Sequence, residues 1–142
     1  MINDNEFYTL KGYSSMTAED ELTTAMEDYL EMIYRMYLAD KHIRIKTLSE
    51  VLHVRPSSAS KMATILKQSG YIDFEKYGHI TLTEKGKEVG DYLLCRHNIL
   101  HEFFCYINRS ENELTLVEKI EHFIDRRTLN HIIDRLKEMK KK

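Results

Sequence analysis

KTLSEVLHVRPSSASKMATILKQSG, residues 46–70, reads as two short helices in tight succession. In the first, Lys46 to Leu52, the residues Leu48, Val51 and Leu52 are expected inward, with Thr47 placed to cap. His53-Val54-Arg55 makes the turn. Pro56 then stands where a first-turn proline costs no hydrogen bond, because that N–H would be unpaired anyway. The second helix runs to about Gln68, with Ala59, Met62, Ala63 and Leu66 on one stripe, and Ser69-Gly70 ends it. Its opposite face carries Ser57, Ser60, Lys61, Thr64 and Gln68. These are small, hydroxylic, amide or basic side chains, which let a backbone approach closely. The pattern predicts a helix-turn-helix whose second helix fits a DNA major groove. A helical hairpin with a solvated side is the competing reading.

The next residues favour the first. Tyr71-Ile72-Asp73-Phe74-Glu75-Lys76 alternates like a strand, Tyr77-Gly78-His79 turns, and Ile80-Thr81-Leu82-Thr83 alternates back. A hairpin directly after a recognition helix is a wing. Lys76, Tyr77 and His79 are expected at its tip, within reach of backbone phosphates, which position a protein without reading sequence.

On the N-terminal side, residues 1–22 form a polar arm dotted with Phe7, Tyr8 and Tyr13, on which no structure is imposed. A helix is predicted from Thr24, with Thr24 and Glu27 in a capping box. Met26, Tyr29, Leu30, Ile33, Tyr34 and Tyr37 recur at helical spacing and should face the core. Asp28 and Glu31 share another face, where the helix macrodipole alone would explain them. On the C-terminal side a long helix runs from Thr83-Glu84-Lys85-Gly86 to about Phe104, its seam Val89, Leu93, Leu100, Phe103 and Phe104. His97 and His101 lie four apart on it, and for His101 a structural role is the simpler reading. The segment Glu113 to Ile124 carries Glu118, Glu121 and His122 on one helical face beside the apolar Val117, Ile120 and Ile124. Such a cluster is either a solvated face or a set of ligands suited to a divalent cation. A last helix, Arg126 to Glu138, and a lysine tail complete the chain. With no groove-reading face, these helices read as a dimerisation module.

Composition agrees. Apolar residues make up 42% of the 142, with 5 glycines and 1 proline, as in a folded, mostly helical chain. Residues 1–40 carry nine acids and two bases, whereas residues 44–87 carry eight bases and four acids. This asymmetry within one small chain points the middle third at an anion. Cys95 and Cys105 have no metal spacing and are expected to be buried thiols of a reducing compartment. Apolar runs are too short for a membrane span and the start lacks a signal-peptide pattern, so a cytoplasmic protein is expected.

Several of these segments, in order, resemble the diphtheria-toxin-repressor family of metal-dependent transcriptional repressors, specifically its manganese transport regulator branch. They are Ala25-Met26-Glu27-Asp28-Tyr29-Leu30-Glu31-Met32-Ile33-Tyr34, Arg55-Pro56-Ser57-Ser58-Ala59-Ser60-Lys61-Met62, Leu82-Thr83-Glu84-Lys85-Gly86-Lys87, Tyr92 to His97, and Val117 to His122. The resemblance implies a mostly α fold: a winged helix-turn-helix at 23–88, then an all-helical metal-binding and dimerisation domain at 89–142. It implies metal ligands Asp28, Glu31, His97, Glu118, Glu121 and His122, holding two ions per subunit with bridging carboxylates. Iron-responsive relatives have a methionine where Asp28 stands and a cysteine where Glu118 stands. Oxygen donors at both positions favour Mn(II) over iron.

The DNA-facing set becomes Lys46, Thr47, Arg55, Pro56, Ser57, Ser58, Ser60, Lys61 and Thr64, with Lys76, Tyr77 and His79 on the wing. The implied function is a Mn(II)-activated repressor of metal-uptake genes, a homodimer on palindromic double-stranded operators, acting on no membrane and no small-molecule substrate. Without metal, carboxylates gathered from separate elements are expected to repel and let the two parts move. Two other readings stay open. One is a metalloenzyme, disfavoured because no nucleophile or base stands beyond the ligands. The other is a winged-helix regulator that senses no metal, and an iron-responsive member of the same family is a third variant.

Overall fold

The computed structural model describes residues 22–75 and 78–141. The arm with Phe7, Tyr8 and Tyr13, the wing-tip residues Lys76 and Tyr77, and Lys142 lie outside the described residues. The order is α1 (Thr24–Leu38), α2 (Ile45–Leu52), α3 (Pro56–Gln68), β1 (Ile72–Asp73), β2 (Thr81–Leu82), α4 (Glu84–Asn108), α5 (Leu114–Ile120), a 3₁₀ turn (Glu121–Phe123) and α6 (Arg126–Lys140).

One core gathers Leu30 and Ile33 of α1, Leu48 of α2, Ala59, Ala63 and Leu66 of α3, Ile72 and Ile80 of the wing, and Leu93 of α4. The small Ala59 and Ala63 let α3 lie close to α1, as the stripe predicted. A second cluster joins Leu100 of α4, Val117 of α5 and Leu129 of α6. Tyr92 packs against both. The 25-residue α4 is thus the beam that carries both cores, about 37 Å long at 1.5 Å per residue.

Local chemistry departs from expectation at several ends. Thr23, not Thr24, caps α1 by accepting the Met26 N–H at 3.1 Å, and Glu27 bonds to partners across the fold instead of reaching back to a cap. α2 starts one residue early at Ile45 with no side-chain cap, so Thr47 sits inside the helix. Ser49, not Val51, fills the buried position there. Its hydroxyl donates to the Lys46 carbonyl at 2.7 Å, while Val51 is exposed. Tyr37, at the end of α1, is also exposed. Cys95 is exposed rather than buried, since Leu93, Arg96, His97 and Leu100 take the inward positions of α4.

Gly70, with φ +85°, turns the chain out of α3 into the wing. The wing ladder is only two pairs, Ile72 with Leu82 and Asp73 with Thr81. It is shorter than the alternation suggested because neighbours take the remaining backbone groups. The Ile80 N–H donates to Ile43 at 2.7 Å, and the Lys67 ammonium donates to the Phe74 carbonyl at 2.7 Å. The Thr83 hydroxyl then ties wing to beam: it donates to the Gly70 carbonyl at 2.7 Å and accepts the Gly86 N–H at 3.0 Å.

Gly86 has no room for a side chain. An added Cβ would lie 1.9 Å from the Tyr71 carbonyl oxygen, a backbone atom that cannot swing aside. We expect Gly86→Ala to lower stability by about 1–3 kcal/mol through overpacking, read as a lower urea midpoint with unchanged slope. An unchanged midpoint would show that wing and beam are not in this close contact.

Candidate metal centre and nucleic-acid interface

α1 has two faces. Its apolar stripe enters the first core, and its acidic edge meets residues brought from α4 and from the 3₁₀ turn. α5 ends at Ile120, and the chain tightens into the turn Glu121–Phe123. That change of pitch separates the three residues expected on one helical face. Glu121 swings into the interior, 2% exposed, while the Glu118 side chain stays 61% exposed at the rim.

Two ligand sets result, each with one donor atom per residue and all within 4.8 Å of one another: Asp28, Glu121 and His122, and Glu31, His97 and Glu121. Glu121 belongs to both. Five of the six expected ligands are therefore in one cluster. Glu118 belongs to neither set but is adjacent, its Oε1 4.0 Å from His97 Nδ1. Each set has two carboxylates and one imidazole, hard-to-borderline donors that fit a divalent cation without sulfur. The donor chemistry therefore fits the group the sequence implied.

The charges compensate one another. His97 Nδ1 is 2.8 Å from Glu121 Oε2, and this hydrogen bond holds the His97 pKa above its ordinary value against the opposing effect of burial. Burial, followed by the charge of Glu121, raises Glu31. His122 Nε2 lies 2.9 Å from Asp28 Oδ1 and its Nδ1 2.8 Å from Glu27 Oε1. Those two bonds push its pKa up to about 10. The expectation of carboxylates that simply repel is thus incomplete, because His97 and His122 each hydrogen-bond to them and draw them together. Being raised, the His122 pair stabilises the fold fully below the free imidazole pKa. That contribution fades as pH climbs towards 10.

Two participants escaped the sequence reading. Glu27, taken for a cap, accepts from both terminal nitrogens of Arg96, at 3.1 and 3.4 Å, as well as touching His122. Arg96, one of the Tyr92 to His97 segment, is buried. A buried-charge pairing 69 residues apart leaves no local signal. His101 behaves structurally, as read: its Nε2 accepts the Glu113 N–H at 3.2 Å beside the start of α5.

On the opposite side of the first core, Arg55, Pro56, Ser57, Ser58, Ser60, Lys61 and Thr64 are all exposed along α3, and Lys46 is exposed at the start of α2. Thr64 turns its hydroxyl to the Ser60 carbonyl at 3.0 Å, and Thr47 is half-buried. His79 is exposed beside the wing, where Arg44 Nη2 approaches its Nε2 at 3.4 Å and the His42 ring lies tilted against it, centroids 4.9 Å apart. Arg44 was not anticipated, although a cation just before α2 is the sort of residue a basic face would use. Arg44, Lys46, Pro56, Ser60, Phe74 and Gly78 line one concavity between helices and wing.

Residues 21–80 match the family described as iron dependent repressor, N-terminal DNA binding domain. The chain is 40% identical over 113 residues to the HTH-type transcriptional regulator MntR of Oceanobacillus iheyensis, covering 79% of this chain and 77% of that protein. Among solved structures, the manganese regulator SloR superposes with a TM-score of 0.69 at 23% identity, over 79% of this chain and 53% of that one. The metal-dependent transcriptional regulator MtsR does so with a TM-score of 0.66 at 26% identity, over 84% and 55%. The chain spans about half the length of these two solved relatives. These are regulators and not enzymes, and the winged fold here is theirs. By its identity to MntR over most of both chains, together with the matching DNA-binding domain, the chain belongs to the diphtheria-toxin-repressor family of transcriptional regulators.

Proposed function

We propose that this family member is a repressor switched on by Mn(II), with two ions per subunit, acting as a homodimer on palindromic operators of metal-uptake genes. One observation carries the proposal: two three-ligand sets share the buried Glu121 and draw on α1, α4 and the turn after α5. Asp28, Glu121 and His122 would hold one ion, and Glu31, His97 and Glu121 the other, with Glu118 close enough at the rim to join. A bound divalent cation would supply positive charge to balance the carboxylates gathered there.

The consequence for DNA follows from α1. Its Asp28 and Glu31 are held by residues of the helical half, 89–142, while its apolar face packs on α2 and α3 of the DNA-binding half, 23–88. Fixing α1 fixes the carriage of α3. In a symmetric dimer that sets the distance between two recognition helices, and half-sites recur about 34–36 Å apart or a multiple of that. Moving such an equilibrium from mostly incompetent to mostly competent takes about 5.5 kcal/mol of preferential binding. Ser57, Ser58 and Ser60 allow close approach, Lys61 and Arg55 reach base edges or phosphates, and Lys46 and His79 face the backbone.

Anisotropy of a labelled fragment from upstream of its own gene tests this directly, with protein titrated at one fixed salt concentration in EDTA and then in Mn(II). Mn(II) should tighten binding by about 5–150-fold, the usual span of allosteric coupling. Equal affinity in both would discard the switch and leave a metal-independent winged-helix regulator.

Glu121→Gln keeps the shape of the shared ligand and removes its charge. Its DNA binding should lose the response to Mn(II) while its helical circular dichroism is kept. A variant that still answered Mn(II) like the parent would remove Glu121 from the centre.

Lys61→Ala should weaken DNA binding by about 1–3 kcal/mol at matched salt if the ammonium reads a base edge. Mn(II) affinity should not move. Undiminished DNA affinity would show that α3 is not the reading helix.

A further inference from the structure

We propose that Glu27 is a positioning residue of this metal centre, one that turns His122 so that Nε2 faces the ion while Glu27 itself stays off it. The inference rests on the reading of Asp28 and His122 as ligands and deepens it.

His122 has both ring nitrogens engaged, and by different carboxylates. Nδ1 meets Glu27 Oε1 at 2.8 Å, and Nε2 meets Asp28 Oδ1 at 2.9 Å. Asp28 shares a three-ligand set with His122 and Glu121, and Glu27 belongs to neither set. The two neighbouring acids of α1 therefore have different roles. A carboxylate on the far nitrogen of a ligating histidine holds its tautomer and ring orientation and makes it a better donor.

Glu27 is itself held. Both terminal nitrogens of Arg96 donate to it, at 3.1 and 3.4 Å, and the Arg96 side chain is only 4% exposed against 12% for Glu27. The guanidinium lies over the Tyr92 ring, 5.7 Å from its centroid. Its Nε is buried with no hydrogen-bond partner among the described residues, while both terminal nitrogens turn to Glu27. A bidentate fork fixes a carboxylate's position more firmly than a lone lysine would. The ordered chain is Tyr92, Arg96, Glu27, His122. It orients the imidazole from the side away from Asp28 and Glu121.

The full-length protein tests this as wild type, Glu27→Gln, and the double variant Glu27→Gln with Arg96→Met, which leaves no buried cation unpaired. Two readouts are needed. Bound Mn(II) is counted and its affinity measured by electron paramagnetic resonance. The tautomer of His122 is read from ¹⁵N imidazole shifts in protein loaded with diamagnetic Zn(II).

A positioning role predicts a single Nδ1–H tautomer for wild-type His122, its loss in both variants, an unchanged number of ions, and an affinity lower by about 10–100-fold in both. A variant that binds one ion fewer would overturn the proposal by making Glu27 a ligand. Unchanged affinity with an unchanged tautomer would overturn it as well. Wild-type protein that binds no Mn(II) at all would instead fail the metal-centre reading beneath it, and the two failures are told apart by that first sample.

Discussion

A carboxylate that is 2% exposed, as Glu121 is, cannot keep its charge without partners, and the arrangement of the helical half follows from supplying them. His97 from the middle of α4 sits 2.8 Å away, and Asp28 and Glu31 of α1 come close enough to share its ligand sets. The sharp end of α5 at Ile120 and the 3₁₀ turn that follows drive Glu121 inward. A regular helix through residue 122 would have spread the same acids along a solvated face. The unusual pitch and the buried charge therefore belong together.

That requirement explains why α1 and α4 are packed as closely as they are. Gly90 of α4 lies where an added Cβ would be 2.7 Å from the Tyr34 side chain, and the Tyr34 hydroxyl donates to Asp91 at 3.0 Å. The apolar face of α1 packs on α2, α3 and α4, and its acidic edge meets α4 and the turn. A helix used on two sides cannot shift on one without disturbing the other. In the proposed mechanism this mechanical constraint is what would couple the ion site to α3, and it needs no special pathway of residues.

Much of this was legible in the chain, for identifiable reasons. Periodicity located the helices, and the small stripe of Ala59 and Ala63, the first-turn Pro56 and the Thr83 cap were local signals with local causes. The five residues that cluster were named before any geometry as expected ligands, although spacing alone left Asp28 and Glu31 looking like helix-start acids. What stayed hidden depends on distant partners. Glu27 looked like a cap because nothing nearby in sequence reveals Arg96, 69 residues on. Val51 and Cys95 looked buried because hydrophobicity cannot say which of two adjacent stripes meets a neighbour. The departure of Glu118 from Glu121 followed from a helix ending early, and no glycine or proline marks that end.

The cysteines bear on which ion such a centre would favour. Cys95 precedes His97 by two residues and is exposed, on another face of α4. Cys105 shares the face of His97 but lies eight residues on, about 12 Å along the axis, where its sulfur is 3.6 Å from His101 Nε2. Neither thiol is in a three-ligand set. An imidazole-and-carboxylate centre forgoes the thiolate that soft ions gain most from. It does not thereby bind Mn(II) more tightly than zinc, because affinity for such donors still rises across the first-row series. Selection would have to come from coordination geometry and from which ion the cell makes available.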